Sequence, residues 1–190
     1  MLLNCAYDRS GRRFGESYGT FLSQLHEWVV QTRKRVDVTY VAHCVDDEKF
    51  VSDLRREHGV TLPVIPMYDQ TPAQMHQHYR QAQLVVGMRG HAGMVPFGCG
   101  TPIISLISHP KLGYFLADID RPQWGIGVKD PQLAGRLGEL TSEILDHRPA
   151  VVTDILAIQR RLAKVTAGNL ASLPAPLQPT WGLGQDDSSE

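Results

Sequence analysis

A chain of 190 residues is enough for one domain and a short tail, and enough to bury a core without disulfide or metal staples. Hydrophobic residues make up 42% and charged residues 21%, which excludes disordered, collagenous and small disulfide-rich classes. With 19 Lys and Arg against 20 Asp and Glu there is no overall basic field for nucleic acid, and no apolar run approaches a membrane span.

Leu2 to Tyr7 reads as a first strand, with no charged stretch before it of the kind a signal peptide carries. Phe14, Tyr18, Phe21, Leu22, Leu25, Trp28 and Val29 then recur at helical spacing, up to the basic end Arg33, Lys34 and Arg35. Those cations suit a helix C-terminus. Val38 to His43 is the second strand, and Asp46 or Asp47 can cap a helix carrying Phe50, Val51 and Leu54 that Gly59 ends. After a third strand, Pro63 to Met67, Thr71 and Pro72 form an N-cap followed by Pro at the first helical position. That helix carries Met75, Tyr79 and Ala82. Leu84 to Met88, Pro102 to Ile107 and Trp124 to Val128 are the fourth, fifth and sixth strands. The unbroken apolar stretches among them are those of strands covered on both faces. Asp130 and Pro131 repeat the capping device before Leu133, Leu137, Leu140 and Ile144, and a last helix carries Val151, Ile155, Ile158, Leu162 and Val165. From Asn169 the periodicity stops.

Six strands alternating with helices predict a doubly wound parallel sheet, Rossmann-like, over residues 1–168, with 169–190 as a Pro- and Gly-rich acidic tail. By analogy with the common strand order 3-2-1-4-5-6, the winding reverses between the first and fourth strands, and ligands gather beyond the carboxyl ends there. Three loops should converge at that point. They carry Arg9, Arg12 and Arg13 after strand one, Arg89, Gly90, His91 and Gly93 after strand four, and His109 and Lys111 after strand five.

A helix N-terminus already bears partial positive charge, so cations gathered there need an anion to neutralise them. Gly90 and Gly93 are expected to leave backbone N–H groups open to its approach. The reading is a pocket for phosphate or carboxylate. His43 ends its strand and reads equally as facing this crevice or as a satisfied core histidine. His76 and His78 point about 200° apart on a helix and cannot chelate one metal. Asp118 and Asp120 read as acids solvating a turn. Cys5, Cys44 and Cys99 are too scattered for a disulfide framework or zinc site, and Cys5 and Cys44 read as small buried hydrophobes. A reducing cytoplasm fits best. The dinucleotide-binding glycine fingerprint, the Walker lysine loop and the G-x-S-x-G elbow are all absent.

The stretch from Leu84 through Arg89-Gly90-His91, with Gly100-Thr101-Pro102 and His109-Pro110-Lys111, resembles the C-terminal half of the polysaccharide pyruvyl transferase family. The shared pattern is a strand ending in Arg-x-His, a helix, a Gly-x-Pro entry to the next strand, and a Lys shortly after it. The resemblance extends loosely from the first strand to about Val165, its specificity lying between Leu84 and Lys111. Gly90 stands where a larger apolar residue is usual, and His109 where an acid is common.

The resemblance implies one half of a two-domain, glycosyltransferase-like arrangement, the half that holds the donor. The chain has room for one such domain, so the acceptor side is expected from an N-terminal domain or a partner chain. The implied reaction transfers pyruvate from phosphoenolpyruvate to two hydroxyls of a saccharide as a cyclic ketal. In it His91 is the candidate acid, Arg89 a bidentate grip, Lys111 a point-charge contact, and Gly90, His109, Arg12 and Arg13 complete the substrate cradle. No metal or organic cofactor is expected. The alternatives are a nucleotide-sugar-binding glycosyltransferase half and a non-catalytic anion-binding module.

Overall fold

In the computed structural model, which describes residues 1–7 and 14–173, the apolar runs form the strands β1 (Leu2–Asn4), β2 (Thr39–Ala42), β3 (Val64–Pro66), β4 (Val85–Gly87), β5 (Ile103–Ile107) and β6 (Gly125–Gly127). They make one parallel sheet in the order β3-β2-β1-β4-β5-β6. The amphipathic runs form the helices α1 (Tyr18–Thr32), α2 (Asp47–His58), α3 (Pro72–Gln81), α4 (His91–Gly98), α5 (Pro110–Asp118), α6 (Leu133–Asp146) and α7 (Arg148–Ala171). This is the doubly wound, Rossmann-like fold. Right-handed crossovers put α1 and α2 on one face, where α6 joins them, and α3, α4 and α5 on the other.

Burial explains why the strands are so apolar. Leu3, Val85, Val86, Ile103 and Leu106 are shut away on both faces of the sheet. One face closes through Phe14, Phe21 and Phe50, and through Trp28, whose indole N–H donates to the Thr141 hydroxyl at 3.2 Å and ties α1 to α6. Phe97 of α4 meets Phe115 of α5 edge-on over the other face.

Local signals set most element ends. Thr71 caps α3 in a reciprocal box with Gln74, and Pro72 opens the helix. Gly59 ends α2 in the left-handed region at φ 68°, where a side chain would be strained. Other ends differ from the sequence reading. Strand β1 stops at Asn4, because Cys5 turns its backbone to the Tyr40 hydroxyl, which donates to Cys5 O at 2.6 Å. Pro122–Trp124 forms a 3-10 turn, so β6 starts one residue later, at Gly125. Asp130 does not cap α6: its carboxylate accepts from the Gln132 N–H at 2.8 Å and pairs with Arg136, and the helix begins at Leu133. Helix α7 runs to Ala171, past the point where apolar periodicity fades. Residues 174–190 of the expected tail lie outside the described residues.

The register positions the site. Asn4 pairs with Gly87 and Gly87 with Ser105, so β1 and β4 end level, β5 runs on to Ile107, and all three release their loops at the same edge of the sheet. Gly87 is required there, since a Cβ on it would lie 2.6 Å from Ala92 Cβ and 2.8 Å from the Ala92 carbonyl oxygen. Gly87→Ala should therefore push α4 off the sheet and cost about 1–3 kcal/mol of stability in urea unfolding. An unchanged midpoint would show that α4 backs away freely.

Candidate functional site

At the carboxyl ends of β4 and β5 lies a cleft of ≈ 280 Å³, lined by Met88, Arg89, Gly90, His91, Met94, Ser108, His109, Lys111 and Leu112. The sequence reading brought Arg89, Gly90, His91, His109 and Lys111 to one place, and the fold gathers all five here. Arg12 and Arg13, with Arg9, lie outside the described residues.

Helix α4 begins at His91, with Gly90 as an N-cap that offers no side chain. The next amides are consumed by turn bonds: Ala92 N–H donates to Arg89 O, and Gly93 and Met94 N–H both donate to Gly90 O. Among the described residues the amides of Gly90 and His91 are the ones left over. Gly93 does not supply the open N–H expected of it. Nor does packing demand a glycine there, since a Cβ would lie 3.6 Å from Ser105 Oγ, an ordinary contact. His91 itself is exposed at the cleft mouth.

Helix α5 starts at the opposite wall. His109 is its N-cap, its Nδ1 accepting the Lys111 N–H at 3.3 Å, which leaves Nε2 for the cleft. The exposed Lys111 side chain makes no ion pair among the described residues. Between the walls, Ser108 Oγ is shielded from solvent and without a hydrogen-bond partner among the described residues. An anionic oxygen in the cleft is an acceptor such a hydroxyl can use.

Arg89 is held differently from the sequence expectation. Its Nε donates to both oxygens of Asp47, at 3.1 and 2.8 Å, and its Nη2 donates to Oδ1 at 2.6 Å. The fork expected to grip a ligand anion thus closes on a carboxylate of the chain itself, leaving Nη1 as the guanidinium nitrogen not engaged by Asp47. Asp47 is completely buried and Arg89 retains 27% of its side-chain exposure.

Asp47 also accepts from the His43 N–H at 3.0 Å and from Asn4 Nδ2 at 3.3 Å. Asn4 in turn donates to Val41 O at 2.9 Å and accepts from the Arg89 N–H at 3.3 Å. One carboxylate therefore clamps the end of β1, the β2–α2 turn and the β4–α4 turn. Asp47 is the first residue of α2 but not its cap, because its carboxylate turns inward. Cys44 is half-buried beside the pair, its Sγ accepting from Arg89 Nη2 at 3.0 Å, so it is more than a packed hydrophobe.

Sequence reasoning missed Asn4 and the true role of Asp47. Asn4 left a signal, as the one strongly polar residue among Leu2, Leu3, Cys5 and Ala6. Asp47 left none, since an acid at a helix start is ordinary.

His43 does not line the cleft but stands beside it, between His91 and Tyr79. Its ring lies 6.1 Å from that of His91 with 17° between the planes, and its Nε2 is 2.7 Å from the Tyr79 hydroxyl. Burial, partly opposed by Asp47 and aided by His91 and Arg89, pushes the imidazole from its ordinary 6.5 down to about 4. The unfolded chain then binds a proton near pH 6.5 that the folded one refuses until about pH 4. Stability should fall across that window as pH drops, by on the order of 3 kcal/mol, and His43→Phe should flatten the fall. Urea unfolding at pH 7 and pH 5 reads about 2 kcal/mol of it. An equal fall in the variant would assign the loss to other groups.

Asp118 and Asp120 serve α7: Arg161 donates to Asp118 O at 3.2 Å and pairs with Asp120 at 2.9 Å. Among the described residues no group of three or more His, Cys, Asp or Glu gathers where it could hold a metal ion, and no helix is long and apolar enough to cross a membrane. A second, shallower cleft of ≈ 630 Å³ adjoins the first, sharing Ser108 and His109 and walled by Ile107, Pro110, Val128 and Pro131. No family model matches the chain, and no curated protein matches it.

Proposed function

We propose that the chain is a donor domain of pyruvyl transferase type, binding phosphoenolpyruvate in the cleft between α4 and α5. The observation that carries this reading is the gathering of His91, Lys111, the His109 Nε2 edge and two unspent amides around one small cleft. A ligand with a phosphate and a carboxylate suits such a set, because each anionic group finds fixed donors in a partly enclosed site.

In the proposed reaction a proton is delivered to the methylene carbon of the enol, and positive charge develops at the adjacent carbon. One acceptor hydroxyl adds there, the C–O bond to phosphate breaks, and the second hydroxyl closes the ketal. The two hydroxyl protons balance the new methyl group and the released phosphate. His91 stands at the cleft mouth as the proton donor. Lys111 and the α4 amides take the developing phosphate charge. Arg89 Nη1 contributes a single donor, with Asp47 fixing where it stands. The chemistry asks for no metal or organic cofactor. A saccharide supplies the hydroxyls, approaching from a further domain or partner chain.

One observation favours a second reading. The adjoining apolar-walled cleft is the slot a nucleotide-sugar donor would need, and the sequence offered no sign of it. Thermal shift separates the two: phosphoenolpyruvate should stabilise the chain, and Lys111→Ala should weaken its binding about ten- to a hundredfold, as loss of a charge-assisted contact does. Stabilisation by nucleotide sugars alone would reject the pyruvyl transferase reading.

A further inference from the structure

We propose that His43 is a positioning residue for His91: Tyr79 fixes the His43 ring through Nε2, and the fixed ring backs the His91 imidazole, holding its plane toward the cleft. This rests on the reading of His91 as the group that works on the ligand.

His91 has few restraints of its own. It is the first residue of α4, exposed, and no hydrogen bond to its ring is present among the described residues. A histidine so placed is free to turn about two side-chain bonds, and catalysis needs one orientation. The contact that restrains it is the neighbouring ring. His43 and His91 are offset-stacked, with centroids 6.1 Å apart and planes 17° apart.

His43 is itself fixed from behind. Tyr79, fully buried on α3, stands 2.7 Å away through its hydroxyl, and the two rings lie 21° from parallel. The Tyr79 hydroxyl has no other side-chain partner among the described residues and pairs with Nε2, the donor and acceptor roles following the His43 tautomer. The Tyr79 main chain is in turn anchored, its carbonyl accepting from the Thr101 hydroxyl at 2.7 Å. The His43 main chain is pinned by Asp47. A continuous line of rings therefore runs from the core through Tyr79 and His43 to His91.

The charges around His43 suit the task. Asp47 faces it from α2, Arg89 from the β4–α4 turn and His91 from α4. Burial keeps the middle ring uncharged, so it supports His91 without repelling a proton there. A cationic side chain in its place would instead oppose a positive charge on His91.

The test compares the full chain with His43→Phe, His43→Ala and Tyr79→Phe. Three-bond couplings of the His91 Cβ protons read the ring's rotamer without any substrate, so they decide the proposal even where phosphoenolpyruvate proves not to be the ligand. The expected result is one rotamer in the parent and in His43→Phe, which keeps a flat face, and averaging in His43→Ala. With acceptor present, kcat in His43→Ala should fall about tenfold with KM for phosphoenolpyruvate within about twofold, and His43→Phe should restore it. A merely structural role would lower the melting temperature of His43→Ala and leave the His91 couplings unchanged, which overturns the proposal. Should His43→Ala not fold, Tyr79→Phe carries the test: averaging of His91 supports the line of rings, and parent-like couplings refute it.

Discussion

Replacing His91 by Gln is expected to lower turnover by about 10²–10⁴, the share that general acid catalysis supplies, while the fold and much of the ligand affinity remain. The side chain is exposed at the first turn of α4, so the substitution disturbs no core packing. Gln keeps a hydrogen-bond donor near the cleft but has no proton to give at neutral pH. If His91 only binds the anion, affinity and rate fall together, and single-turnover chemistry at saturation stays nearly intact. Saturated single-turnover rates within about threefold of the parent would therefore remove the acid role and leave the anion cleft standing. The assay needs the acceptor-binding side present, because the reaction joins two molecules.

The second large effect concerns the clamp beneath the site. Asp47→Ala should destabilise the chain by about 3–5 kcal/mol, since it leaves the Arg89 guanidinium without its carboxylate and strips partners from Asn4 and the His43 amide. The remaining 27% exposure of Arg89 lets it reach water in part, which puts the expected value at the lower end. Replacing both Asp47 and Arg89 by Leu should recover much of the loss, because an apolar pair needs no compensation. Urea unfolding of the two variants reads both numbers. A loss below about 1 kcal/mol for Asp47→Ala would mean that the pair does not hold the β4–α4 turn. In ligand binding the same variant should release the Arg89 fork toward the cleft, so affinity for a phosphate-bearing ligand should not fall in step with stability.

The sheet was legible because its information is local. The apolar stretches at Leu84–Val86 and, interrupted only by Ser105, at Ile103–Leu106 belong to strands buried on both faces, and Thr71-Pro72 starts a helix on its own chemistry. The cleft was legible for a related reason: parallel topology sends every strand's carboxyl end to the same side, so loops after β4 and β5 must meet. What escaped depends on contacts across long sequence separations. Asp47 and Arg89 lie 42 positions apart, and nothing near either residue announces that their side chains close on each other. The same distance hides the pairing of His43 with Tyr79, 36 positions on. Where a side chain has a ready local role, as Asp47 had as a cap, the local reading prevails until a tertiary partner overrides it.

The central claim is that an anionic three-carbon donor seats against the start of α4. Titrating the ¹⁵N-labelled chain with phosphoenolpyruvate and following its backbone amides tests this directly. The account predicts saturable shifts at Gly90 and His91, the two amides that α4 leaves unspent, together with Ser108 and Lys111 across the cleft. Inorganic phosphate should move Gly90 and His91 in the same direction but more weakly. The contradicting result is an unmoved α4 start with phosphoenolpyruvate, accompanied by shifts at Ile107, Val128 and Lys129 when a nucleotide sugar is added.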